Sequence, residues 1–228
     1  MYGKIPTASL IWKSTWVKRC GLKHINKIEY IDDKLCRVIL DTFDVLELDT
    51  FTVSTSPLIE GRDVEDEVLE RVVFDSECVR AHKEAIKFLN LRMRTQKQIG
   101  DKLKEKGFSE EIIASTVEKL GEWGYTDDAA YAREYIIYRL NGSKKSWRAI
   151  FYDLKLEGVD KEIIQSVAGE FDTDETLRAM IVAEKILGQR RDEKSLKKLQ
   201  GTLQRNGFYW DAISYVMSRL GMDETEEY

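Results

Sequence analysis

The residues best suited to chemistry are Asp127 and Asp128, side by side in GYTDDAAYAREYIIYRL, residues 124–140. Adjacent carboxylates can share a divalent cation or a catalytic proton. They can equally open a helix, where negative charge meets the positive end of the macrodipole and unpaired N–H groups. A metal site needs more oxygen or nitrogen ligands at defined spacing, and none converge on the pair. The pattern therefore predicts capping: Thr126 as N-cap, both aspartates in the first helical turn, and Tyr125 stapled near Ala130 or Tyr131. Cys20, Cys36 and Cys78, with His24 and His82, form no CxxC, HExxH or CxxxH spacing and read as reduced thiols of a cytoplasmic protein. No P-loop, dinucleotide fingerprint or nucleophile–base pair occurs. The chain reads as a non-enzyme without metal or cofactor.

The basic residues are the next candidates, as contacts for a partner or for DNA. Arg92 and Arg94 end one predicted helix, and Lys97 and Lys102 lie on the following one. They suit a phosphate or carboxylate contact and, equally, the favourable placing of cations at a helix C-terminus. Arg139, Lys144, Lys145 and Arg148 cluster around a helix junction beside Trp147. Such a cluster can clamp phosphate or an acidic protein rim, or be an ordinary solvated turn with Trp147 in the core. Lys194, Lys197 and Lys198 share one face, which reads as solvated. Trp210, after Phe208 and Tyr209, could stack on bases, although its place in the pattern suggests packing between helices.

These residues need elements to position them. The chain has 228 residues, 43% apolar and 34% charged, with only two prolines and a net charge of −5. That composition describes a globular, helix-rich protein and argues against holding nucleic acid by phosphate neutralisation alone. Charge is uneven: residues 87–155 carry 14 Lys/Arg against 10 Asp/Glu, between residues 60–86 with 4 against 9 and residues 156–228 with 10 against 15. The N-terminus is interrupted by Lys13, Lys18 and Arg19, so no signal or membrane segment is expected. Residues 25–48 alternate apolar and polar and break at Asp32-Asp33 and Asp41-Thr42, predicting three short strands. Residues 49–63 read as an exit through Pro57 and Gly61, after which residues 64–74 and 76–91 take helical spacing.

A repeat then appears. LKEKGFSEEII (103–113), LKLEGVDKEII (154–164) and LQRNGFYWDAI (203–213) are copies of one pattern centred on Gly107, Gly158 and Gly207. Glycine at C′ takes the left-handed conformation that ends a helix. The next residue, Phe108, Val159 or Phe208, can pack on Leu103, Leu154 or Leu203, as in a Schellman ending. Helices are predicted at 76–91, 95–106 and 109–122; at 126–141, 146–157 and 160–171; and at 173–188, 192–206 and 209–220. Thr95 with Gln98 forms a capping box, and Ser109, Asp160 and Asp192 are further N-caps. The expected architecture is mainly α. Residues 1–24 form a leader and 25–62 a β-meander. Residues 63–124 hold a linker helix and first repeat, 125–171 the second, 172–221 the third, and 222–228 an acidic tail. Stacked triplets predict an elongated, curved body.

LRMRTQKQIGDKLKEKGF, LGEWGYTDDAAYAREYIIYRL and SWRAIFYDLKLEGVDKEII, in this order and spacing, resemble the signature of the RecX family, bacterial regulators of the RecA recombinase. The resemblance runs over about residues 25–221. It implies tandem three-helix repeats without a catalytic site. It also implies a monomer that binds the RecA filament on single-stranded DNA and inhibits strand exchange and ATP hydrolysis, and so acts in DNA repair and the SOS response. Direct DNA contact would be weak and no membrane is involved. Two other readings fit the residues: a helical-repeat adaptor that touches only protein, and a DNA-binding module of helix-turn-helix type.

Overall fold

The computed structural model describes residues 21–222. The predicted leader up to residue 20, with Cys20, and the acidic tail from 223 on lie outside them. Three strands form where alternation predicts them: β1 (Leu22–Tyr30), β2 (Leu35–Leu40) and β3 (Val45–Asp49). β1 starts at Leu22, inside the segment expected as leader. A fourth strand, β4 (Asp63–Glu65), pairs antiparallel with β1, and the sheet order is β3-β2-β1-β4. Strand periodicity puts Ile25, Cys36, Val38, Leu40 and Leu48 on one face, all buried. The opposite face carries ion pairs, Arg37 with Glu47 at 3.0 Å and Lys27 with Glu29 at 2.8 Å.

Between β3 and β4 the exit segment contains a helix, α1 (Thr50–Thr55). Its N-cap Asp49 is buried, accepts from Thr52 N at 3.4 Å and pairs with Lys83 Nζ at 2.5 Å. α2 (Asp66–Leu89) is one helix of 24 residues rather than two, since neither Gly nor Pro interrupts it. Its first half covers the sheet; Leu69 and Val72 join the strand core. Its second half opens the helical repeats.

Then come α3 (Gln96–Glu105), α4 (Glu110–Glu122), α5 (Asp128–Gly142), α6 (Trp147–Leu156), α7 (Lys161–Ala168), α8 (Glu175–Leu187), α9 (Glu193–Arg205) and α10 (Trp210–Met222). Each lies within a few residues of its predicted span. The repeat positions make the cores: Ile99 with Leu103 and Leu120, Ile150 with Leu154 and Ile164, Leu199 with Leu203, Ile213 and Leu220. The protein divides into two compact units. Among the described residues, one holds 21–93 with Ile99–Tyr125, the other Arg94–Gln98 with 126–222.

Candidate interaction surface

The three glycine turns have one geometry. Gly107, Gly158 and Gly207 sit at φ +90°, +91° and +91°. Phe108, Val159 and Phe208 donate their N–H to Leu103, Leu154 and Leu203 at 3.1–3.2 Å, and each glycine N–H bonds to the carbonyl three residues earlier. These are the two bonds of the Schellman motif. α4 ends the same way at Gly124 (φ +73°), with Tyr125 N donating to Leu120 O at 2.9 Å, a turn the repeat comparison did not single out. Tyr125 is half exposed and meets Trp123 edge-on at 6.4 Å.

The acid pair divides its work. The N-cap of α5 is Asp127, which accepts from Ala130 N at 2.8 Å; Thr126 precedes the cap, correcting the sequence expectation. Asp128, nearly buried, accepts instead from Gln96 N at 3.0 Å, the first N–H of α3. Glu175, at the start of α8, does the same for Trp147 N at 2.9 Å, the first N–H of α6. Burial pushes the Asp128 carboxyl above the usual carboxylate range, the Gln96 bond opposing it and the Asp160 and Asp127 charges adding to it.

These two acids belong to a joint that occurs twice within the second unit. Thr95 caps α3 by accepting from Gln98 N at 3.1 Å and donates its hydroxyl to Glu157 O at 2.6 Å. Ser146 caps α6 by accepting from Ala149 N, and its own N–H bonds Asn206 O at 3.0 Å. Gln98 does not close the capping box; its amide reaches Glu157 Oε2 at 2.6 Å. The residue two after each cap is basic and lies on the glycine turn. Lys97 reaches Leu156 O at 3.4 Å, and Arg148 donates to Gly207 O at 3.0 and 3.2 Å. A Cβ on Gly158 would fall 2.3 Å from Lys97 Cβ, and one on Gly207 2.9 Å from Ser146 Oγ. Gly107 has open space.

Arg178 is a residue the sequence did not flag, because on an amphipathic helix it looks like one more surface charge. It is buried, and its guanidinium donates to Leu140 O, Ser143 O and Lys145 O at 2.8–3.2 Å, closing the C-terminus of α5. Burial lowers its pKa, and the nearby charge of Glu175 partly offsets this. The loop so fastened carries Lys144 and Lys145.

Most of the candidate basic residues have partners inside the chain. Lys145 pairs with Asp153 at 2.5 Å. Arg139 donates to the Tyr135 hydroxyl at 2.7 Å and lies 3.9 Å from Asp153. Lys102 pairs with Glu105 at 2.8 Å. Arg94, like Lys97, is engaged within the chain. Arg148 stacks 4.1 Å from the Tyr209 ring centroid and stays exposed. Arg92 and Lys144 are exposed and make no ion pair with the described residues. Trp147 is in the core, against Phe151 and Phe171, whereas Trp210 is exposed. Among the described residues no group of three or more His, Cys, Asp or Glu could hold a metal ion, and no helix is long and apolar enough to cross a membrane.

A small antiparallel sheet followed by three-helix repeats, each with a left-handed glycine turn, defines a class of tandem three-helix-repeat proteins. The sequence model of the RecX first three-helix domain matches residues 81–120, and that of the second matches 127–167. Regulatory protein RecX of Caldanaerobacter subterraneus subsp. tengcongensis is 32% identical over 159 residues, covering 70% of this chain and 80% of that protein. Regulatory protein RecX of Bacillus subtilis (strain 168) is 28% identical over 196 residues, 83% and 74% of the two chains. The chain belongs to the RecX family of regulatory proteins. The fold agrees with a crystal structure of regulatory protein RecX (TM-score 0.63, 22% identity, 86% of this chain and 99% of that one) and with RecX from Lactobacillus salivarius (TM-score 0.55, 23% identity, 64% and 97%).

Proposed function

We propose that this protein binds the RecA filament on single-stranded DNA, laying its helical triplets in the filament groove, and restrains ATP hydrolysis and strand exchange. In this role it negatively regulates homologous recombination and the SOS response, acting as a cytoplasmic monomer that contacts DNA weakly. The observation that carries this reading is the kinship with regulatory proteins of the RecX family over most of both chains. The charge pattern supports it: a basic middle between acidic flanks suits a mixed partner of protein and nucleic acid.

The test is RecA-catalysed ATP hydrolysis on single-stranded DNA with this protein added. The expected result is a fall at stoichiometric amounts, and an unchanged rate would overturn the reading. Reversing Lys145 or Arg148 would also disturb the Asp153 pair or the Gly207 turn. Lys144 is the clean probe of electrostatic docking, being exposed and outside those contacts. Lys144→Glu is expected to weaken filament binding by about threefold to tenfold at low salt, with little difference in high salt.

A further inference from the structure

The exposed aromatics of the second unit are not evenly spread. On α6, Arg148, Tyr152 and Lys155 follow at i, i+4 and i+7, so they share one helical face, and all three are exposed. The guanidinium of Arg148 lies over the Tyr209 ring, 4.1 Å from its centroid, which links that face to the residue just before α10. There Tyr209 is 57% exposed and Trp210 65%, while Tyr152 is 61% exposed. Lys144 stands in the loop just ahead of α6. Over about two helical turns of α6, roughly 10 Å, Arg148, Tyr152 and Lys155 thus present cation, ring and cation in turn. The nearest acid on α6, Asp153, is occupied by Lys145 and by the Tyr135 hydroxyl at 3.0 Å.

We infer that Tyr152, Arg148, Tyr209 and Trp210 form a stacking platform for single-stranded nucleic acid, with Lys144 and Lys155 as its phosphate contacts. Bases offer flat faces to aromatic and guanidinium groups whatever their sequence. A chain with a net charge of −5 has little electrostatic hold on a polyanion, so stacking carries the affinity. The inference rests on the filament reading for its setting, and names the part of this chain that would meet the strand.

The first arm of its test needs no RecA. The intact protein is titrated into a fluorescent oligothymidylate of about 12 nucleotides, a length within the site sizes of small single-strand binders. The variants are Tyr152→Ser and Trp210→Ser, with Tyr30→Ser, an exposed tyrosine on β1, as control. Melting temperatures establish that all fold. Binding is expected to weaken about tenfold for each platform variant and to stay unchanged for the control. The slope of log affinity against log salt is expected to be about −1.4, since Lys144 and Lys155 are its two phosphate contacts. Wild-type protein that binds no oligonucleotide, platform variants that bind like wild type, or a slope of about −4 or steeper would overturn the inference. It would also fall if the variants lost their effect on RecA ATP hydrolysis while oligonucleotide binding stayed intact, for the face would then be a protein anchor. Oligonucleotide binding as expected, without any effect on RecA, would leave the platform standing and remove the filament reading.

Discussion

Two neighbouring aspartates with the same side chain have different jobs. Asp127 is an exposed N-cap, whereas Asp128 is drawn into the protein to satisfy the first N–H of α3. Its carboxyl titrates above the unfolded value of about 3.9, so in that window the native state holds the extra proton. Its contribution is full below the unfolded pKa and is lost as pH rises through the folded one. Asp128→Asn keeps an oxygen for Gln96 N and removes the charge. Urea unfolding of this variant is expected to give stability at pH 7 at least equal to wild type, with a flatter dependence between pH 4 and neutrality. Asp128→Ala abandons the N–H and is expected to lose about 1 kcal/mol. Equal losses in both variants would show that the bond to Gln96 carries no weight.

The glycine turns are the elements that the periodic pattern announced, and the structure ranks them. Alanine at any of the three must adopt a left-handed backbone, costing about 1–2 kcal/mol. At Gly107 that is the whole cost, because its Cβ would meet nothing. At Gly207 the new methyl also presses on Ser146 and Ala149, and at Gly158 it would overlap Lys97 Cβ. Denaturant midpoints should therefore fall least for Gly107→Ala, further for Gly207→Ala and furthest for Gly158→Ala. Periodicity also placed β1–β3 and the helices, since one amphipathic face decides each. It did not show α1 or β4. α1 has six residues without a helical period and depends on Asp49, which Lys83 holds from 34 positions away. β4 has three residues and exists through its pairing with β1. The site was less readable for a related reason. Types and spacing located the basic cluster, but Arg178, Glu175 and the partner of Arg148 are long-range choices that no local pattern encodes.

At the level of the molecule, four separate cores replace one among the described residues: a strand core and one for each helical triplet. Within the second unit the joint described above takes the place of a shared core. A helix cap, its basic neighbour and an acid from a following helix close on a glycine turn. Because the segment Arg94–Gln98 folds with residues beyond Thr126, the natural seam of the chain does not fall at one peptide bond. Someone trimming the protein for a smaller piece would be tempted to cut after Tyr125, where a helix has just ended. The shortened chain would leave the carboxylate of Asp128 and the carbonyl of Glu157 facing water instead of Gln96 and Thr95. It should melt several degrees below a version begun at Leu91, although the two differ by elements that lie outside every core of the retained half.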